Sequence, residues 1–281
     1  MKITLTSFIL LSALSAHAMA GDSLIVKSGE KITITAEQQS LTLDRFVMED
    51  DAQISFAPGI THWQVFAKEA AFGNNTVIDG HGYSGHDGTN GKTNEVSSGC
   101  NGVNLATLAA ANGESGQSGV NIEMRLGIVQ FKSLKIDVSG GKGGQGGKGA
   151  SITGKTGCKG LTGGNGGNAG NGGNGGNVLI AYWSADKDGY IPISNYGTGI
   201  QIMIEAGKSG IAGAGGEGAS GGQSHDKQHG SKSQSFGRIE AEPGNPGMPG
   251  AQGHTGKEGA FLVRPVTNAD MAQQVTINTP K

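Results

Sequence analysis

Aromatic residues make up only 5% of this 281-residue chain, too few for a conventional side-chain core over its whole length. Long apolar runs are also missing: after the first twenty residues nothing approaches the roughly 18 consecutive apolar residues of a membrane span. Cysteine occurs twice, at Cys100 and Cys158, and neither follows the N-terminal apolar run, which excludes a lipoprotein anchor. Basic residues number 21 against 23 acidic, with no basic block to track a phosphate backbone, so nucleic acid is excluded as a partner. There is no Gly-x-Ser-x-Gly elbow in a strand–turn–helix context, no HExxH and no phosphate loop. "GESGQSG" at 113–119 resembles an elbow only through its glycine density. No enzyme and no cofactor is expected.

What the chain does contain is glycine, 53 residues of it. Gly154, Gly157, Gly160, Gly163, Gly166, Gly172 and Gly175 keep a period of three, broken only at Ala169. Gly164, Gly167, Gly170, Gly173 and Gly176 run beside them, leaving Asn165, Asn168, Asn171, Asn174 and Asn177 as a third row. A flexible linker has no reason to count. Three residues per turn is the pitch of polyproline II, and bare glycine faces let neighbouring backbones approach and bond laterally. The same period recurs at Gly82–Gly91, Gly113–Gly119, Gly207–Gly216 and in "GNPGMPGAQGHTGKEG" over 244–259. In that last run Pro246 and Pro249 belong where no donor is needed, at an edge.

Short β-branched runs flank each glycine segment: "NTVIDG", "GVNIEMRL", "SLKIDVSGG", "GGNVLIAYW", "GIQIMIEAG" and "GAFLVRP". They read as strands of a base from which three out-and-back excursions project, 80–119, 140–176 and 207–259. The expected fold class is therefore mainly β plus a polyglycine-II helix bundle of six helices. A small all-β N-terminal domain at 21–79, readable as β-helical rungs, precedes the β base and bundle at 80–265, and 266–281 is a C-terminal tail. "TVIDGHG" resembles a rung of β-helical polysaccharide-degrading enzymes, over seven residues only.

Residues 1–20 read as a signal peptide: Lys2, an apolar run from Phe8 to Leu14, then Ala18-Met19-Ala20. The expected location is outside the cytoplasm: extracellular, at the cell surface or in a periplasm. In such a protein Cys100 and Cys158, at the midpoints of the first two excursions, are expected to form a disulfide.

The turns of the excursions are rich in Asn, Ser, Thr, Lys and His, and loops on a rigid scaffold are where binding concentrates. No metal site is expected. The nearest approach is His225, Asp226 and His229 in "SHDKQHG", where i and i+4 would share a face if the turn were helical. His81 and His86 beside Asp87 are a lesser candidate.

The glycine-triplet runs and their variable turns resemble the polyglycine-II sandwich of the tail-fibre-tip adhesins of T-even-like phages, and more distantly the snow-flea antifreeze protein. The adhesin resemblance implies receptor binding by the distal turns, and by position it falls on Lys92, Thr93, Asn94, Asn101, Ser151, Thr153, Gln223, His225, Lys227 and His229. The expected partner is a cell-surface glycan or surface protein. Two alternatives remain: a structural component of a matrix or appendage that self-associates through edge strands of the base, and an ice-binding protein.

Overall fold

Alternating apolar and polar residues recur from Ser23 to Pro265, and in the computed structural model these runs are strands. The structure describes residues 23–92, 108–152, 161–184, 199–219 and 242–266. In chain order the strands are β1 (Ser23–Val26), β2 (Lys31–Ile34), β3 (Ser40–Met48), β4 (Gln53–Phe56), β5 (His62–Phe72), β6 (Thr76–Asp79), β7 (Asn121–Phe131), β8 (Leu134–Asp137), β9 (Val178–Ser184), β10 (Ile200–Met203) and β11 (Phe261–Pro265). The odd-numbered strands form a six-stranded sheet and the even-numbered ones a five-stranded sheet, each in sequence order and parallel throughout. The chain thus lays one strand on each sheet per rung, and the rungs stack.

Period-two alternation turns one face of each sheet into the space between them. Val26, Ile34, Ile54, Trp63, Ile78, Met124, Ile128 and Ile136 fill it, all fully buried. The few aromatics are concentrated here: Phe46 meets Trp63 and Phe72 edge to face, with ring centroids 6.1 and 5.5 Å apart. Each large side chain so buried contributes about 1.5–3 kcal/mol. The corners stack like the strands. Asp51 and Asn75, both with left-handed φ, occupy one corner of successive rungs, and Asn75 Nδ2 donates to Asp51 Oδ1 at 3.1 Å.

Two parts of the expected fold class are overturned. Instead of a polyglycine-II helix bundle as the main regular structure, the described residues contain eleven strands in two parallel sheets and a single 3-10 turn, Ala36–Gln38. The β part is also not a small N-terminal domain plus a separate base: β5 pairs with β7 and β6 with β8, so both sheets run on past residue 79. The reason is register. Strands that sequence separates by a 41-residue insertion, 80–120, still find their place on the next rung, because each insertion begins and ends at one corner of the stack.

Every excursion leaves from the end of a strand of the second sheet and returns to the start of one of the first. Outgoing segments (80–92, 139–152, 205–219) therefore lie in one layer, and returning ones (108–120, 161–177, 242–260) in another. Within the outgoing layer the N–H groups of Gly82, Gly85, Gly88 and Gly91 donate to the carbonyls of Ser139, Lys142, Gln145 and Lys148 at 2.7–2.9 Å. Gly141, Gly144 and Gly147 reach across the layers to Gln117, Glu114 and Ala111 at 2.8–3.0 Å. In the doublets Gly140-Gly141, Gly143-Gly144 and Gly146-Gly147 the first glycine bonds within the layer and the second between layers. Segments with neighbours on more sides carry two glycines per triplet for this reason.

These glycines supply room and not a special φ; among the described glycines only Gly29 and Gly59, in rung corners, have left-handed φ. A Cβ on Gly170 would stand 2.9 Å from the Gly144 nitrogen and closer still to the Glu114 carbonyl. Ala169 shows what a methyl group does. Gly247, Gly250, Gly256 and Gly259 donate to Gly216, Gly213, Gly207 and Ile204, while the corresponding bond of Gly253 to Gly210 is absent at the level of Ala169.

Gly170→Ala should therefore cost about 3 kcal/mol, at the top of the overpacking range, because the obstructing atoms are backbone and cannot rotate away. Ala169→Gly should change stability by under about 0.5 kcal/mol, a restored bond worth about 1 offsetting the entropy of a further glycine. Thermal melts of both variants check the pair of expectations.

Candidate functional site

At the end of the glycine segments away from the sheets, Leu108, Ala150, Ile152 and Ala219 are buried together with Leu161 against them. The backbone bonds converge there as well: Gly244 N donates to Ala219 O, Ala219 N to Leu161 O, Gly164 N to Ala150 O, and Ala150 N to Leu108 O, all at 2.8–2.9 Å. The described segments on either side of residues 93–107, 153–160 and 220–241 all end at or next to this plug. The sequence did not reveal it, since a lone Leu108 or Ile152 in polar surroundings carries no periodicity.

Two of the sequence-derived ligand residues are described. Lys92 is exposed, one residue past the last laterally bonded glycine of its segment. Ser151 is half-buried, and its Oγ accepts the Glu217 N–H at 3.0 Å, a bond that ties two segments together. Thr93, Asn94, Asn101, Thr153, Gln223, His225, Lys227 and His229 lie outside the described residues. So do the expected disulfide pair Cys100 and Cys158, the metal candidate Asp226, and the expected signal peptide. His81 and His86 do not converge: His81 Nδ1 pairs with Asp79 Oδ1, and His86 Nδ1 lies 2.8 Å from Glu114 Oε2. The hydrogen bond from His86 holds the Glu114 carboxyl below the usual range. Among the described residues no three metal-ligating side chains come together.

The asparagine row is committed to the scaffold. The Oδ1 atoms of Asn165, Asn168, Asn171, Asn174 and Asn177 accept the N–H groups of Met248, Ala251, His254, Lys257 and Ala260 at 2.8–2.9 Å. Asn112 and Asn121 do the same for Asn168 and Asn177, and Asp87 and Asn90 for Gln145 and Lys148. The segments 80–92, 108–120, 139–152 and 161–177 thus use short side-chain acceptors to satisfy donors that the backbone ladder leaves over.

Where the returning layer meets the first sheet, a shallow groove of about 660 Å³ is lined by His62, Gln64, Asn121, Glu123, Leu179 and Leu262, among others. Glu123 is its fixed charge. Gln64 Nε2 donates to its Oε2 at 2.9 Å, and Arg125 Nε and Nη2 donate to its Oε1 at 2.9 and 2.7 Å. The Gln64 hydrogen bond first, and then Arg125, hold this carboxyl below its ordinary value against partial desolvation.

Comparison of the chain with protein-family models, with curated proteins and with solved structures gives no match in any of the three. The functional reading therefore rests on the molecule itself.

A carboxyl with a depressed folded-state value stabilises the fold at pH above its unfolded value and loses that contribution as pH falls through the depressed one. Glu123→Gln should accordingly flatten the decline of stability on the acid side of pH 4 to 5, with little change in slope near neutrality; urea midpoints measured across that range test this. Replacing Asn168, Asn171 and Asn174 together by Ala should speed amide exchange at Ala251, His254 and Lys257 by about fivefold or more, each lost bond being worth about 1 kcal/mol.

Proposed function

We propose that the chain is an exported, non-enzymatic, adhesin-like binding protein whose three distal turns recognise a glycan or a surface protein outside the cytoplasm. One observation carries this reading: the described segments that flank residues 93–107, 153–160 and 220–241 meet at a single hydrogen-bonded plug formed by Leu108, Ala150, Ile152, Leu161 and Ala219. Long polar turns do not need a common, buried mount to reverse the chain. A surface assembled from three of them does, because binding gains from loops whose ends are already fixed.

The tip composition supports the same reading, with Lys92, Thr93, Asn94 and Asn101 on the first turn, Thr153 on the second and Gln223, His225, Lys227 and His229 on the third. The resemblance to phage tail-fibre-tip adhesins, which bind through distal turns, points the same way. Ice binding gains no support from the asparagine row, whose side-chain oxygens are already occupied by backbone donors.

A second reading, a structural component that self-associates through the sheets, is favoured by one feature. The edge strand β11 leaves Leu262 52% and Phe261 39% exposed. The two readings separate in one experiment. Lys227→Ala combined with His229→Ala should abolish attachment of the purified chain to whole cells and to a glycan array, with melting temperature and oligomeric state unchanged. Attachment that survives the double substitution moves the function to the base.

A further inference from the structure

The outer face of the first sheet carries a feature that the turns do not need. On β9, Val178, Ile180 and Tyr182 point into the core, so Leu179, Ala181 and Trp183 face outward. Trp183 lies across β7 at Gly127: a Cβ there would stand 2.9 Å from indole atoms Cε2 and Nε1. This missing side chain lets the indole reach Phe66 on β5, with ring centroids 5.9 Å apart and planes inclined by only 31°. Both rings are half-buried, and, tilted by 31° to one another, they form an aromatic floor that reaches from β5 across β7 to β9.

The strand register places charged groups beside that floor. Arg125, Ala181 and Arg264 lie side by side on β7, β9 and β11, one row from Trp183. Ala181 is small and buried between them, so the two arginines flank it about 10 Å apart, at two strand spacings. Arg125 is neutralised by Glu123, whose other oxygen takes the Gln64 amide. Arg264 is exposed and has no carboxylate partner among the described residues. The groove containing Gln64, Glu123, Leu179 and Leu262 continues the surface on the other side.

A half-buried ring pair with planar hydrogen-bonding groups and the Arg264 guanidinium, which has no carboxylate partner among the described residues, matches a specific chemistry. The aliphatic C–H face of a pyranose ring stacks on an aromatic floor, its hydroxyls bond Gln64 and Glu123, and a guanidinium takes a carboxylate bidentately. We propose that this surface binds a carboxylate-bearing pyranose residue of a polysaccharide. The site is separate from the distal turns and does not depend on their function.

The test is titration of the mature chain with hexameric oligogalacturonate and oligomannuronate, and with cellohexaose as a neutral comparator, by calorimetry and tryptophan emission. The chain has two tryptophans, and Trp63 is wholly buried, so an emission change reports Trp183. The expected result is saturable binding of a uronate, weakened about tenfold or more by Trp183→Ala and about threefold or more by Arg264→Gln, and reduced by salt. The Lys227→Ala, His229→Ala variant should bind the uronate normally. Arg264→Gln alters an exposed side chain and keeps the test valid if Trp183→Ala fails to fold. Absence of saturable uronate binding, binding that neither substitution moves, or equal affinity for cellohexaose would overturn the proposal.

Discussion

A backbone N–H donating to a neighbouring carbonyl, with no side chain between the two chains, is the interaction on which the far half of this molecule depends. Singly it is worth about 1 kcal/mol, and each glycine that permits it loses more conformational entropy on ordering than any other residue would. The arrangement holds because bonds are shared in two directions. Gly144 donates to Glu114, accepts at its carbonyl from Gly170, and has Gly143 beside it bonded to Lys208. Ordering one segment therefore prepares the acceptors of the next, and the entropy is offset by a lattice of bonds where no hydrophobic core is present.

That lattice starts from something more conventional. The two parallel sheets bury Phe46, Trp63 and Phe72 in contact, and the strand ends set the spacing from which the glycine segments depart. Side-chain packing fixes position near the sheets, and carbonyl–amide bonding carries that position outward to the small plug around Ile152. The short acceptors Asp87, Asn112, Asn168 and Asn171 finish the work along the exposed surfaces, where backbone partners run out.

Some of this was legible in the chain before folding. The glycine period and the flanking β-branched runs marked where the excursions begin and end, because both signals are local. The architecture was not: whether Val77 and Lys135 share a register depends on the intervening loop closing at a rung corner, which no window of residues displays. Weighting the glycine period over the strands led to a helix bundle, where the structure is organised by two parallel sheets. The asparagines were visible as a row, but their partners lie 83 residues away, so their role was not. The Glu123 network was hidden for the same reason, Gln64 being 59 residues distant. Of the tip residues, Lys92 and Ser151 can be placed, and Ser151 turns out to bind its own scaffold.

The insertion of all three excursions at one corner of the stack has a consequence for how such a chain changes length. Lateral bonds recur every third residue on every segment, so an arm cannot grow by one residue without throwing its remaining donors out of step with both neighbours. Growth comes in steps of three, matched on the outgoing and returning halves and across adjoining excursions, while the rungs below remain untouched. The sequence between the arms is under no such arithmetic. Reach is quantised in triplets and shared between neighbouring arms.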